Sequence, residues 1–440
     1  AASDVYKRQD ICFSLGTQSN STMRTIAFIL LFLSFVSNAQ DIKMPADTSV
    51  VTIHETTIKG KKVPYSATAG TQPVWDEDGH TIATLFYTYY ERTDIRNKAE
   101  RPLVISFNGG PGSASVWMHL AYTGPVILEI DDEGYPIQPY GVKSNPHSIH
   151  HVADIVFVNP VNTGYSRILD PEAKKETFFG VNEDVEYLAR WINTFVNRVN
   201  RWQSPKYLIG ESYGTTRVSG LAGRLQNSEW MYLNGVILVS PTGLGIDRDG
   251  PVGAANRVPY FAAAAWYQKA LTSELQNKDL LEVLDEAETF TINELLPAMA
   301  KGGFLDESEK KEMAEKMAYY SGISAETILE HNLDVPTSFF WKDLLREKGG
   351  YTVGRLDSRY LGIDRKLAGE RPDFKSELTS WLHSFTPAIN YYFRNNLNFK
   401  TDIKYNMFGP VSPWNRDGDQ TGENLRQAMA QNPYLNVMIQ

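Results

Sequence analysis

"KYLIGESYGTTRVSGLAGRL", residues 206–225, decides the fold. A short apolar run ends at Gly210, a serine follows between two glycines, and a helical pattern opens at once. Gly210-Glu211-Ser212-Tyr213-Gly214 fits G-x-S-x-G, the turn that pushes a serine Oγ out at the carboxyl edge of a sheet. The motif alone is common. The order strand, turn, helix makes it specific. A second glycine turn, "FNGGPGSASVW" (107–117), follows another apolar run. An acyl-transfer serine needs N–H donors for the tetrahedral oxyanion. One is the amide after the nucleophile, Tyr213, and a loop at the same sheet edge must supply the other. Asn108-Gly109-Gly110 is placed to do so.

Working outward, "PLVISF" (102–107), "DIVFV" (154–158), "KYLIG" (206–210) and "GVILVS" (235–240) are apolar runs of parallel-sheet type. "VNEDVEYLARWINTFVNRVN" (181–200) places Val185, Leu188, Ala189, Ile192, Phe195, Val196 and Val199 on one helical stripe. Residues 50–92 read as an antiparallel meander with a hairpin turn at Asp78-Gly79. From 246 to 395 the strand pattern stops and consecutive helices follow. Helix returns over 423–432, and "YLNVMI" (434–439) reads as a further buried strand. The expected fold is therefore α/β, a doubly wound, mostly parallel sheet with N-terminal antiparallel strands and a helical cap insertion. The expected divisions are a core over 40–245, the cap over 246–395, and an incomplete return to the core over 396–440.

The chain has 440 residues, 42% hydrophobic and 22% charged, with a formal net charge of −9. No basic face points to nucleic acid. "MRTIAFILLFLSFVSNAQ" (23–40) has the three-part layout of a signal peptide, with cleavage expected after Ala39. Its apolar run is too short to span a bilayer, so an exported protein, periplasmic or extracellular, without a stable membrane anchor is expected. Residues 1–22 precede Met23 without signal character and read as sequence upstream of the native protein. Cys12 is the only cysteine and falls in that segment. A cysteine nucleophile, a thiolate zinc site and disulfides are thereby excluded from the mature chain. "HSIHH" (147–151) has no carboxylate at ligand spacing, and neither a metal nor a cofactor is expected.

The paired turns resemble those of the serine carboxypeptidase family, whose members carry N-G-G-P-G-C-S-S and G-E-S-Y-A-G-x-Y. "YGVKSNPHSIHHVADIVFVNPVNTGYSR" (140–167), "VGRLDSRYLG" (353–362) and "PWN" (413–415) extend the resemblance from about residue 50 onward. It implies an α/β-hydrolase that releases residues from peptide C-termini through an acyl-enzyme. Ser212 would be the nucleophile and the amides of Gly110 and Tyr213 the oxyanion hole. Asn108, the Gly109 amide and Glu211 would receive the terminal carboxylate of a peptide substrate. Ser113 replaces the family cysteine, Ser106 stands where many members have tryptophan, and Tyr122 stands where many have the glutamate of E-L-G-P. The family's aspartate and histidine follow the run that "NPYLNVMIQ" resembles, so both are expected beyond Gln440. Of the histidines after Ser212, His331 and His383 lie in helical sequence, and His119 reads as packing. An esterase or acyltransferase on the same fold, and a catalytically silent peptide-binding homologue, are the alternatives.

Overall fold

The computed structural model describes residues 43–245 and 249–440. The expected upstream and signal segments, Cys12 and the first residues of the insertion lie outside these. Three long strands, β1 (Thr48–Ile58), β2 (Lys61–Trp75) and β3 (Thr81–Arg92), form the antiparallel meander. Its second turn falls at Asp76–His80, where Gly79 takes a positive φ of 85°. The remaining strands are β4 (Leu103–Phe107), the pair β5 (Val126–Leu128) and β6 (Val142–Ser144), β7 (Asp154–Val158), β8 (Arg167–Ile168), β9 (Lys206–Glu211), β10 (Gly235–Val239), the pair β11 (Tyr351–Val353) and β12 (Leu361–Ile363), and β13 (Asn436–Ile439). The main sheet runs β1-β2-β3-β7-β4-β9-β10-β13, with β8 paired to β3. From β7 onward every neighbour is parallel. The four apolar runs read from sequence are β4, β7, β9 and β10.

Both faces of the sheet are covered, as buried parallel strands require. On one face lie α1 (Val181–Arg198) and α2 (Tyr213–Ser228), and Trp191 and Phe195 of α1 stack with ring centres 5.2 Å apart. Each large apolar side chain buried here contributes about 1.5–3 kcal/mol. The other face packs against Phe385, Ile389, Tyr392 and Phe393. β4 and β9 are parallel neighbours in the sheet, so their carboxyl ends, and the two glycine turns that follow them, lie side by side.

The insertion is helical from α3 (Pro251–Ala255) through α4 (Arg257–Tyr267), α5 (Ser273–Gln276), α6 (Leu280–Phe290), α7 (Leu296–Ala300), α8 (Glu307–Ser321) and α9 (Ala325–Glu330) to α10 (Thr337–Asp343). It has its own core around Phe261, Phe290, Met317 and Phe340. Two expectations are corrected. The strand pattern does not stop across the insertion, because β11 and β12 pair antiparallel there. Three-residue strands are too short to show alternation. The final strand is not buried: β13 pairs with β10 on one side only, and Met438 and Ile439 are exposed. Its edge position outweighs its apolar composition. α11 (His383–Tyr391), inside the expected cap boundary of 395, already packs on the core through Phe385 and Ile389, and α12 (Thr421–Gln431) packs against α2.

Candidate active site

Ser212 joins β9 to α2 with φ 55° and ψ −126°. A side chain held there costs on the order of 1–3 kcal/mol, and such outliers cluster at functional sites. The turn is locked from both sides. The Ser212 N–H donates to the Val239 carbonyl at 2.9 Å, and its carbonyl accepts the Thr215 N–H at 2.8 Å. A Cβ on Gly210 would stand 2.1 Å from the Gly214 carbonyl oxygen, so only glycine permits this fold-back.

The loop after β4 presses against the elbow. A Cβ on Gly109 would lie 2.4 Å from the Tyr213 nitrogen and 2.8 Å from the Glu211 carbonyl oxygen. Tyr213 is the first residue of α2, and its N–H is one of the amides a helix start leaves without an intrahelical partner. The structure therefore sets Gly109 against the backbone of Glu211 and Tyr213, the residues on either side of Ser212.

Asn108 is fully buried behind the loop. Its Oδ1 accepts the N–H groups of Trp117 and Met118 at 3.0 and 2.9 Å, and its Nδ2 donates to Glu211 Oε2 at 2.9 Å. Burial pushes the Glu211 carboxyl up from its ordinary value, while hydrogen bonds from Asn108 and the Gly109 N–H pull the other way. Glu211 and Ser212 form one wall of a cavity of about 450 Å³, with Tyr122, Trp117, Trp381 and Phe385 around them. The insertion contributes Arg355, Leu356, Asp357 and Tyr360 to its lining.

Beneath the elbow lies a buried ion pair that sequence reading missed. Arg217, at the position where the motif quoted above has tyrosine, is fully buried, as is Asp184 of α1. Arg217 Nε donates to Asp184 Oδ2 at 2.6 Å, and its two NH groups donate to the carbonyls of Asn108 (2.7 Å) and Pro111 (3.3 Å). Tyr187 donates its hydroxyl to Asp184 Oδ1 at 2.8 Å. One guanidinium thus ties the elbow helix to the oxyanion loop. The residues are 33 positions apart, and no local pattern joins them.

The histidines have work elsewhere. His119 is buried against Phe157, with ring centres 4.4 Å apart, and meets the Tyr90 hydroxyl at 2.5 Å. Burial pulls its pKa down to about 3, so the ring is neutral. His150 bonds the Ala153 carbonyl, His331 packs on Phe339, and His383 meets the Tyr140 hydroxyl at 2.8 Å. Among the described residues no histidine is hydrogen-bonded to Ser212. "HSIHH" forms no metal cluster among them either. The acids that do converge with a histidine are Asp76 and Asp78 beside His80, in an exposed turn.

A serine on a strained strand-to-helix turn, at the carboxyl edge of a doubly wound sheet and under a helical insertion, defines the α/β-hydrolase class. The chain belongs to the serine carboxypeptidase family, whose model matches residues 61–402. Similar proteins include serine carboxypeptidase S10 family member 1 of Dictyostelium discoideum, 27% identical over 135 residues, which cover 30% of this chain and 29% of that protein. Serine carboxypeptidase-like 31 of Arabidopsis thaliana is 28% identical over 36% of this chain and 30% of its own length. The chain spans 28–44% of the length of the curated relatives it matches. Among solved structures, the prohormone-processing carboxypeptidase Kex1 of Saccharomyces cerevisiae is 16% identical, with a TM-score of 0.49 over 85% of this chain and 73% of that one.

Proposed function

We propose that the protein is a serine carboxypeptidase that releases single residues from peptide C-termini. The observation that carries this reading is the strained Ser212 beside Glu211 in one cavity wall. Ser212 Oγ attacks the scissile carbonyl and its proton passes to a general base. The negative oxygen so formed accepts the N–H groups of Gly110 and Tyr213. Collapse breaks the C–N bond as the base returns that proton to the leaving nitrogen, releases the C-terminal residue with a free amino group, and leaves an ester on Ser212 that water hydrolyses. The base and its orienting carboxylate are required by the chemistry, and this reading assigns them to none of the described residues.

Glu211 receives the terminal carboxylate of the substrate, oriented by Asn108 and the Gly109 amide. A carboxyl held up by burial donates its proton to a carboxylate. Tyr122, beside it in the cavity, brings a hydroxyl where many relatives bring a second acid. The segment over 23–39 supports export of the mature protein, and no helix of the described residues is long and apolar enough to cross a membrane. The test is residue release from N-blocked dipeptides in free-acid and amidated forms. Release from free acids only is expected. Equal turnover of the amides would replace this reading with a general esterase or amidase.

A further inference from the structure

The substrate cavity carries one cation, Arg355, and the reading above leaves it unused. It lines the same cavity as Ser212 and Glu211, is exposed, and lies in the loop joining β11 to β12. The loop is fixed from several sides. The amides of Leu356 and Asp357 donate to Oε1 of the buried Glu377 at 2.6 and 3.1 Å. The Gly354 N–H donates to the Tyr360 carbonyl at 2.9 Å, and the Tyr360 hydroxyl reaches the Gly134 carbonyl across the cavity rim. The acid nearest in sequence is committed: Asp357 pairs with Arg359 at 2.6 Å. No carboxylate lies in ion-pair contact with Arg355 among the described residues. Its charge is felt nearby, since the Lys375 ammonium is pushed down by burial and then by Arg355.

An exposed guanidinium on a fixed loop that lines the cavity, with no carboxylate in ion-pair contact, is free to take an anion from the ligand. Its planar fork matches a carboxylate with two parallel hydrogen bonds. Among the described residues the carboxylic acids on the walls are Asp357 and Glu211, and burial biases Glu211 toward its neutral form. A peptide offers two carboxylates, an acidic side chain and the terminal group. We propose that Arg355 is a specificity-determining residue that binds a carboxylate of the peptide in the cavity of Ser212. This rests on the carboxypeptidase reading for the identity of the ligand.

The test separates the two. Full-chain protein carrying Ser212→Ala, with and without Arg355→Gln, is titrated with N-acetyl-Phe-Glu, N-acetyl-Phe-Gln and N-acetyl-Phe-Gln amide. Loss of one charge-assisted pair should weaken binding of a carboxylate-bearing peptide about 10- to 100-fold and leave the neutral amide unchanged. A loss confined to Phe-Glu assigns the side chain, and an equal loss for both free acids assigns the terminal carboxylate. Arg355→Lys, which keeps charge but not the fork, should recover part of the affinity. Unchanged affinity for all three peptides, or an equal loss for all three, overturns the inference. Residue release by the Ser212 protein is measured separately, so its absence would count against the peptidase reading while the binding titrations still decide the role of Arg355.

Discussion

Replacing Arg217 with methionine tests how the elbow and the oxyanion loop are held together. The change keeps bulk and removes the only cation bonded to Asp184 among the described residues, and Asp184 is itself fully buried. Breaking a buried pair from one side costs about 3–5 kcal/mol, because the remaining charge keeps its desolvation penalty. The carbonyls of Asn108 and Pro111 also lose a donor, so a total near 5 kcal/mol is expected. Domains have about 5–15 kcal/mol in all, so the variant should sit at the margin of folding. Its pH dependence has a defined sign. Burial already pushes the Asp184 carboxyl up against the pull of Arg217, and removing Arg217 pushes it further. The folded variant then binds a proton that the unfolded chain releases, so its stability falls as pH rises through the interval above the ordinary aspartate pKa. Urea unfolding at pH 5 and pH 8 should show the larger deficit at pH 8. Arg217→Met with Asp184→Asn should recover part of the loss. A deficit below about 1 kcal/mol, the size of an exposed pair, or one equal at both pH values, would refute the reasoning.

Three further expectations concern the site. Glu211→Gln keeps a donor and removes a titration; in the parent protein KM should climb as pH rises through the elevated Glu211 pKa, and the variant's profile should be flat. An unchanged KM profile would remove Glu211 as the carboxylate receptor. Gly109→Ala forces a methyl group onto the Tyr213 amide and should lower kcat by about 10²–10³-fold, the cost of losing an oxyanion donor. A wild-type rate in that variant would show that the loop gives way. His383→Ala should leave residue release unchanged, since its ring serves the Tyr140 hydroxyl; abolished turnover would make it the base.

The core was legible because its signals are local. Apolar runs of five or six residues at β4, β7, β9 and β10 can only be strands buried on both faces, and the glycines after β4 and β9 mark where backbones must approach. Ser212, Gly109 and Gly110 followed from those turns. What escaped depends on contacts far apart in sequence. Arg217 reads as an ordinary polar helix residue until Asp184, on another helix, is seen against it. Arg355 gains meaning only when the insertion folds across the sheet edge and brings it to the cavity of Ser212. The part Asn108 plays in holding its loop, through the Trp117 and Met118 amides on its Oδ1, is a contact that composition cannot show. The strand β13 has the composition of a buried strand and the exposure of an edge.

The central claim is covalent: Ser212 carries the acyl group between attack and hydrolysis. Mixing the full-length protein with an activated ester of an N-blocked amino acid, quenching in acid within the first turnover and mapping the modified peptide by mass spectrometry tests it directly. The account predicts an acyl adduct on Ser212, absent from Ser212→Ala, which binds the same ligand but releases no residue. Turnover that survives Ser212→Ala, or an adduct mapped to another side chain, would contradict it.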